Sequence, residues 1–201
     1  MTYSVKDLPY QKDVLKDVVS EKTLETHHDK LYAGYVAKRN EIEEALKTAD
    51  KSKANHNYSE FRALKLEEVF NADGQILHEL YFDCMRAPQE NNAPTGDLLK
   101  KIEEDFGSFE AFVEDLKATG LSARGWAVTA YDPTDGKLHN FLADFHSHGG
   151  VWNSVAILAL DSYEHAFFMD YGSDKKSYIE AWFKIINWDK VAENFFKISK
   201  S

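Results

Sequence analysis

The sequence predicts an α+β fold: an N-terminal antiparallel α-hairpin packed on a C-terminal α/β lobe with a three-stranded antiparallel sheet. Three observations carry that expectation. Two long stripes of helical period fill the early part of the chain. A break rich in Pro and Asn follows at 86–96 (RAPQENNAPTG). Strand-like runs around a Pro-Thr-Asp-Gly turn come only after that break. The expected domains are a helical hairpin at 1–87 and an α+β domain at 88–201.

The first helix is expected over 20–46, with Ser20 as N-cap and Leu24, Leu31, Tyr35 and Ile42 along its apolar stripe. His27 shares that face. His28 turns about 100° away, toward the edge. The second helix starts near Ser59 and carries Phe61, Leu64, Val69, Phe70, Leu77, Tyr81 and Cys84 inward. Gly74 interrupts it at a cost of roughly 1 kcal/mol against Ala, which implies that something approaches the backbone closely there. Past the break, Asp97 is expected to cap a short helix ending near Gly107, and Ser108 another ending at Gly120. Strands are expected at 125–131, 137–144 and 155–160. The last, Val-Ala-Ile-Leu-Ala-Leu, is apolar throughout and reads as central and buried. Helical pattern resumes after Asp161 and runs to about Phe196.

Composition limits the function. The 201 residues carry 24 basic and 34 acidic side chains, a net charge of −10, with 43% hydrophobic and 13% aromatic residues. That is enough apolar material for a sizeable core, which excludes a disordered chain. The acidic balance argues against nucleic acid as a partner. No apolar run approaches the roughly 20 residues that span a bilayer, and residues 1–10 show no signal-peptide core. With one cysteine, Cys84, no internal disulfide forms. A cytoplasmic protein without membrane partners is expected.

Of eight histidines, His56, His28 and His139 read as ordinary core or surface residues. Asp161 and His165 do not. They stand four apart where the apolar strand gives way to helix, so carboxylate and imidazole can converge on one point. Burying Asp161 demands a cation or donors. An N-capping Asp bonded to His would meet that demand, and so would a metal. His27 and His78, each on the inner stripe of its helix, favour the metal. Three imidazoles and a carboxylate leave room for solvent on iron or manganese, whereas structural zinc prefers a closed set. The same donors suit a non-haem iron oxygenase, so the set does not by itself name a reaction. A di-iron bundle would need paired Glu-x-x-His motifs, and only Glu25 with His28 provides one.

A longer pattern is more specific. Leu8-Pro9-Tyr10, Thr23-Leu24-Glu25-Thr26-His27-His28 with Tyr35, Gly125-Trp126-Ala127, Asp161-Ser162-Tyr163-Glu164-His165-Ala166, and Tyr178-Ile179 through Trp182 to Asn187-Trp188 follow one another in order. Together they resemble the iron/manganese superoxide dismutase family over nearly the whole chain. The resemblance implies metal ligation by His27, His78, Asp161 and His165, with Tyr35 at the substrate funnel and Trp126 as an aromatic wall. Glu164 matches the glutamate that bonds the neighbouring subunit's ligand histidine, which implies a homodimer or tetramer through Glu164 and His165. Some members place a glutamine four residues before the second ligand to bond the solvent at the metal; here Gly74 stands there. Others supply that group from the sheet, and the position fifteen before Asp161 is His146, with His148 as its competitor. This chain therefore resembles the branch with a sheet-borne histidine, and iron is the expected metal, with manganese the other choice.

The implied reaction converts superoxide to dioxygen and hydrogen peroxide, the ion alternating between trivalent and divalent states. His146 and Tyr35 would set the energy of the coupled proton. Several positions depart from the family pattern. Leu31 and Phe168 replace the polar gateway pair, Phe82 and Tyr163 replace tryptophans, Leu77 replaces an asparagine, and Lys175 stands for an arginine near the funnel. Lys175 and Lys30 are candidates for focusing an anion against the net charge. The alternative the altered gateway raises is a metal-binding relative with weak or lost dismutase activity.

Overall fold

The computed structural model describes residues 2–198. Ser20 accepts a hydrogen bond from the Thr23 amide (3.2 Å) and opens α1 (Glu21–Thr26). The helix continues through a π-helical segment, His27–Tyr32, into α2 (Ala33–Thr48). The helical period of the sequence gives no sign of that segment, and it moves the stripe. A π turn holds more residues than an α turn, so the inward face passes from Leu24, His27 and His28 to Tyr32 and Val36. Leu31 and Tyr35, expected inside, are half-buried. His28, expected at the edge, is only 7% exposed. Its ring nitrogens meet Asp29 Oδ1 (2.7 Å) and the Lys6 carbonyl (2.8 Å).

The antiparallel partner is α3 (Glu60–Asp83), capped by Ser59. It passes Gly74 unbroken. Its inner face matches expectation from Asn71 onward, but Val69 is 46% exposed, because the early half of α3 projects beyond the core. The break at 86–96 is pinned rather than loose. The Arg86 and Gln89 amides donate to the carbonyls of Ile185 and Lys184, and Asn92 Nδ2 donates to those of Phe183 and Ile186.

In the second lobe α4 (Gly96–Phe106) starts one residue before Asp97, which lies in its first turn rather than at the cap. Ser108 caps α5 (Phe109–Ser122) as expected. The helix runs past Gly120, whose missing side chain admits Leu160: a Cβ there would stand 2.7 Å from Leu160 Cδ2. Strands β1 (Trp126–Asp132), β2 (Lys137–Ala143) and β3 (Val155–Asp161) form an antiparallel sheet in the order β2-β1-β3. So β1 is central and β3 is an edge. The apolar run of β3 reports burial on both faces, not its place in the sheet. A register shift between Thr129 and Ala130 leaves Ile157 unpaired. Its carbonyl is satisfied from outside the sheet by Cys84 Sγ (3.6 Å) and Asn194 Nδ2 (3.1 Å). Helices α6 (Glu164–Tyr171), α7 (Lys175–Trp182) and α8 (Trp188–Ile198) complete the lobe. One apolar core, from Leu15 and Leu24 through Tyr81 to Ile157, Trp182 and Val191, runs through both lobes. No helix among the described residues is long and apolar enough to cross a membrane.

Candidate metal centre

Four elements end at one point. His27 lies at the start of the π segment, His78 on α3, Asp161 at the last position of β3, and His165 on the first turn of α6. Asp161 Oδ2 is 3.0 Å from His165 Nε2, 3.1 Å from His27 Nε2 and 3.7 Å from His78 Nε2. The carboxylate is aimed by its other oxygen, which accepts from the Tyr163 amide (2.9 Å). Its backbone carbonyl accepts from Tyr178 Oη (2.9 Å), itself paired with Tyr81 Oη (3.1 Å).

The His78 tautomer follows from its neighbour. Nδ1 lies 2.6 Å from the Gly74 carbonyl, which can only accept, so Nδ1 carries the proton and Nε2 keeps a lone pair. The buried Nε2 atoms of His27 and His78 have no aligned hydrogen-bond partner. Lone pairs left orphaned in a dry site are costly unless something accepts them. Two ligand atoms each about 2.1 Å from a shared ion stand roughly 3.0–3.4 Å apart, close to the spacing here. The donor set therefore fits one ion.

Electrostatics separates the four groups. Burial holds His27 below the ordinary imidazole value despite Asp161, and holds His78 well below it, helped by His27. Burial also opposes ionisation of Asp161, but His165 and His27 outweigh it and keep the carboxyl far below the usual range. His165, with a quarter of its side chain exposed, moves up: its burial is outweighed by the Asp161 charge.

On the other side stand the groups expected to face substrate. The Tyr35 ring lies 5.2 Å from His78 and 4.7 Å from His146, centroid to centroid. Tyr163 is 5.2 Å from both His146 and His165, stacked on the latter. Burial raises the Tyr35 phenol, and the Asp161 charge adds to it. Burial lowers His146 to about 4, so its ring is neutral. Gly74 now has its reason: a Cβ there would stand 2.9 Å from Tyr35 Cδ1 and 3.3 Å from His146 Cδ2. Sequence reading missed Phe70 as part of this wall, 4.6 Å from His146. It also missed Tyr32, stacked 6.4 Å from His78 with its hydroxyl donating to Glu79. In sequence Phe70 looks like an ordinary stripe residue and Tyr32 falls beside the stripe, and no spacing marks either.

The remaining candidates lie apart from this cluster. Exposed His148 packs on Phe145. Lys175 is half-buried and gives its ammonium to the Ala123 carbonyl, within the field of Asp161 and Asp144. Lys30 and Glu164 face solvent, and Phe168 is 54% exposed. A second grouping, Asp132, Asp135 and His139, sits on the β1–β2 hairpin turn and is hydrogen-bonded internally.

A helical hairpin and an α+β lobe that close together on three imidazoles and one carboxylate define a class of protein with a single-ion site between two lobes. Comparison with known families agrees. Residues 2–86 match the alpha-hairpin domain of iron/manganese superoxide dismutases, and residues 94–194 match their C-terminal domain. The chain belongs to the iron/manganese superoxide dismutase family, whose members are oxidoreductases. It is 45% identical over 197 residues to an iron superoxide dismutase of Aquifex aeolicus, covering 94% of this chain and 92% of that one. It is 37% identical to a manganese superoxide dismutase of Haloferax volcanii, covering 97% and 96%. An iron superoxide dismutase of Pyrobaculum aerophilum is 30% identical, with coverage of 97% and 92%.

Proposed function

We propose that this chain disproportionates superoxide, two O2•− and two protons giving O2 and H2O2, at one iron or manganese ion held by His27, His78, Asp161 and His165. The observation that carries the reading is the convergence of three imidazole Nε2 atoms on Asp161 Oδ2 from both lobes. The ion, when bound, supplies the electron exchange. Asp161 supplies the negative charge that favours the trivalent state, and the burial that keeps His27 and His78 neutral keeps their lone pairs available. Tyr35 and His146 form the wall facing the approaching anion. Because its phenol is raised, Tyr35 stays protonated at neutral pH and can hold a hydrogen bond toward bound solvent or substrate. Lys175, half-buried and within the field of Asp161, is the cation in this chain best placed to draw the substrate in.

Iron is the preferred metal in this reading, since the iron-type relatives from Aquifex are more similar than the halophilic manganese ones. The protein acts as a homodimer or tetramer through Glu164 and His165. Both are on the first turn of α6 with side chains reaching solvent, beside exposed Phe168 and Met169. The single cysteine, buried and unpaired, suits the cytoplasm. The lobes divide functionally at 87/88, each contributing two of the four donors. Elemental analysis followed by reconstitution with iron or manganese, with superoxide decay measured by pulse radiolysis, tests the reading. Iron-dependent turnover is expected. Metal uptake with no acceleration of decay by either ion would refute it.

A further inference from the structure

Helices α1 and α6 come from opposite lobes and are tied to each other at both ends. At one end the rings of His27 and His165 lie 4.7 Å apart and share Asp161 Oδ2. At the other end, about 10 Å back along α1, the Ser20 amide donates to Asp170 Oδ2 (2.9 Å). Beside it Tyr171 Oη donates to the Val18 carbonyl (2.7 Å). The two helices therefore run antiparallel, with the metal donors closing one end and these two hydrogen bonds closing the other. Ser20 can make its bond because its amide precedes the helix and has no carbonyl there to meet, while its hydroxyl serves the Thr23 amide.

Burial gives that second tie its consequence. His27, His78 and Asp161 have no exposed surface, and His165 has a quarter of its side chain exposed. A buried donor set needs an entry path, and this one lies between two lobes, so an ion comes and goes while they part. The seam between α3 and β3 runs through the apolar core, where Tyr81, Cys84 and Ile157 are fully buried. The seam between α1 and α6 instead ends at the surface, with Asp170 exposed and Ser20 half-buried. Opening starts where fewest apolar contacts are lost, at that outer end.

We propose that Asp170 and Tyr171 are positioning residues that latch α6 to the start of α1, and that this latch sets how fast the metal ion exchanges rather than how tightly it is held. This rests on the reading that His27, His78, Asp161 and His165 hold the ion. Neither hydrogen bond uses a donor of the ion, so the latch is common to the empty and the filled closed forms. Breaking it raises both by the same amount relative to the open form. Uptake and release then quicken together, and their ratio stands.

The test uses the full chain as wild type, Asp170→Ala, Tyr171→Phe and the double variant. Free manganese(II) is followed by electron paramagnetic resonance, first as the metal-free chain takes it up and then as excess chelator draws it out. Each single change is expected to speed both steps about fivefold and the double change about 30-fold, the factors that one and two ordinary hydrogen bonds are worth. The dissociation constant should stay within about twofold, since the two rates change together. Asp170→Asn removes the charge but keeps an oxygen that accepts from Ser20, so it should restore wild-type rates. Tyr171→Phe keeps its ring beside Tyr178 and carries the test alone should Asp170→Ala fail to fold. Faster release with unchanged uptake overturns the proposal, because that is ordinary loosening of the site. Unchanged rates overturn it as well, as does an Asp170→Asn variant that behaves like Asp170→Ala. A wild type that binds neither manganese nor iron overturns the parent reading together with the latch, whereas normal binding with unaltered exchange overturns the latch alone.

Discussion

The two lobes bring unlike pairs of groups to the same point. The hairpin contributes His27 and His78, both fully buried, lowered by burial and edged by Tyr81, Phe82 and Tyr32. The C-terminal lobe contributes Asp161 and His165, a charge and an imidazole four residues apart, one dry and one touching solvent. The hairpin side is thus a neutral socket whose donors need no deprotonation. The other side carries both the charge and the proton that an incoming cation must displace. The difference teaches that burial alone readies a ligand by keeping it neutral, whereas a carboxylate partner makes its imidazole compete with a proton.

The sharpest way to break that contrast is to remove the charge. Asp161→Asn should cost more than about 100-fold in metal affinity, beyond the 10–100-fold usual for outer groups. His27→Gln, which loses one neutral donor, should be milder. Metal titration by competition with a chelator ranks them, and equal losses would erase the distinction between the lobes.

Gly74→Ala probes the seam between the two sides. Helix propensity favours Ala by roughly 1 kcal/mol, while overpacking typically costs 1–3 kcal/mol. Overlap with the Tyr35 ring at 2.9 Å makes the second effect win. We expect a slightly lower melting temperature but about a tenfold loss of turnover as Tyr35 and His146 are displaced. Thermal unfolding and pulse radiolysis on one preparation separate the two effects.

Acid sharpens the comparison. His165 is raised, so in the metal-free chain it holds its proton to a higher pH than an ordinary histidine; His27 and His78, lowered, have already lost theirs. Asp161 is ionised throughout. Metal affinity should therefore fall as pH drops through the raised range of His165, above that of an ordinary imidazole, with release of about one proton per ion bound rather than three. Calorimetric titrations in buffers of different ionisation enthalpy count it, and three protons would show that the hairpin histidines titrate too.

The smallest effect concerns approach. Lys175→Glu should slow turnover a few-fold at low salt, converging on the wild type as salt rises, with metal content unchanged. A salt-independent ratio would point to the lost Ala123 contact rather than to steering.

Much of the fold was legible because its signals are local. Ser20, Ser59 and Ser108 cap the helices they were expected to cap, and the Pro-Thr-Asp-Gly turn joins β1 to β2. The misreadings came where the chain departs from a regular period or where pairing is non-local. The π segment shifted Leu31 and Tyr35 outward and drew His28 in, and no residue type announces such a turn. The apolar run of β3 reads as a central strand but lies at an edge, since a fully buried edge and a sheet centre have the same composition.

The sequence by itself determined the elements, the family pattern and four candidate donors, because helix faces and motif spacing are properties of neighbouring residues. Only the tertiary structure decided that Gly74 yields its space to Tyr35 and His146, that Ile157 leans on Cys84 and Asn194, and that Trp126 donates to His146. Each of those is a meeting of side chains far apart along the backbone, and what such groups do to one another depends on distances of a few tenths of an ångström, which no periodicity encodes.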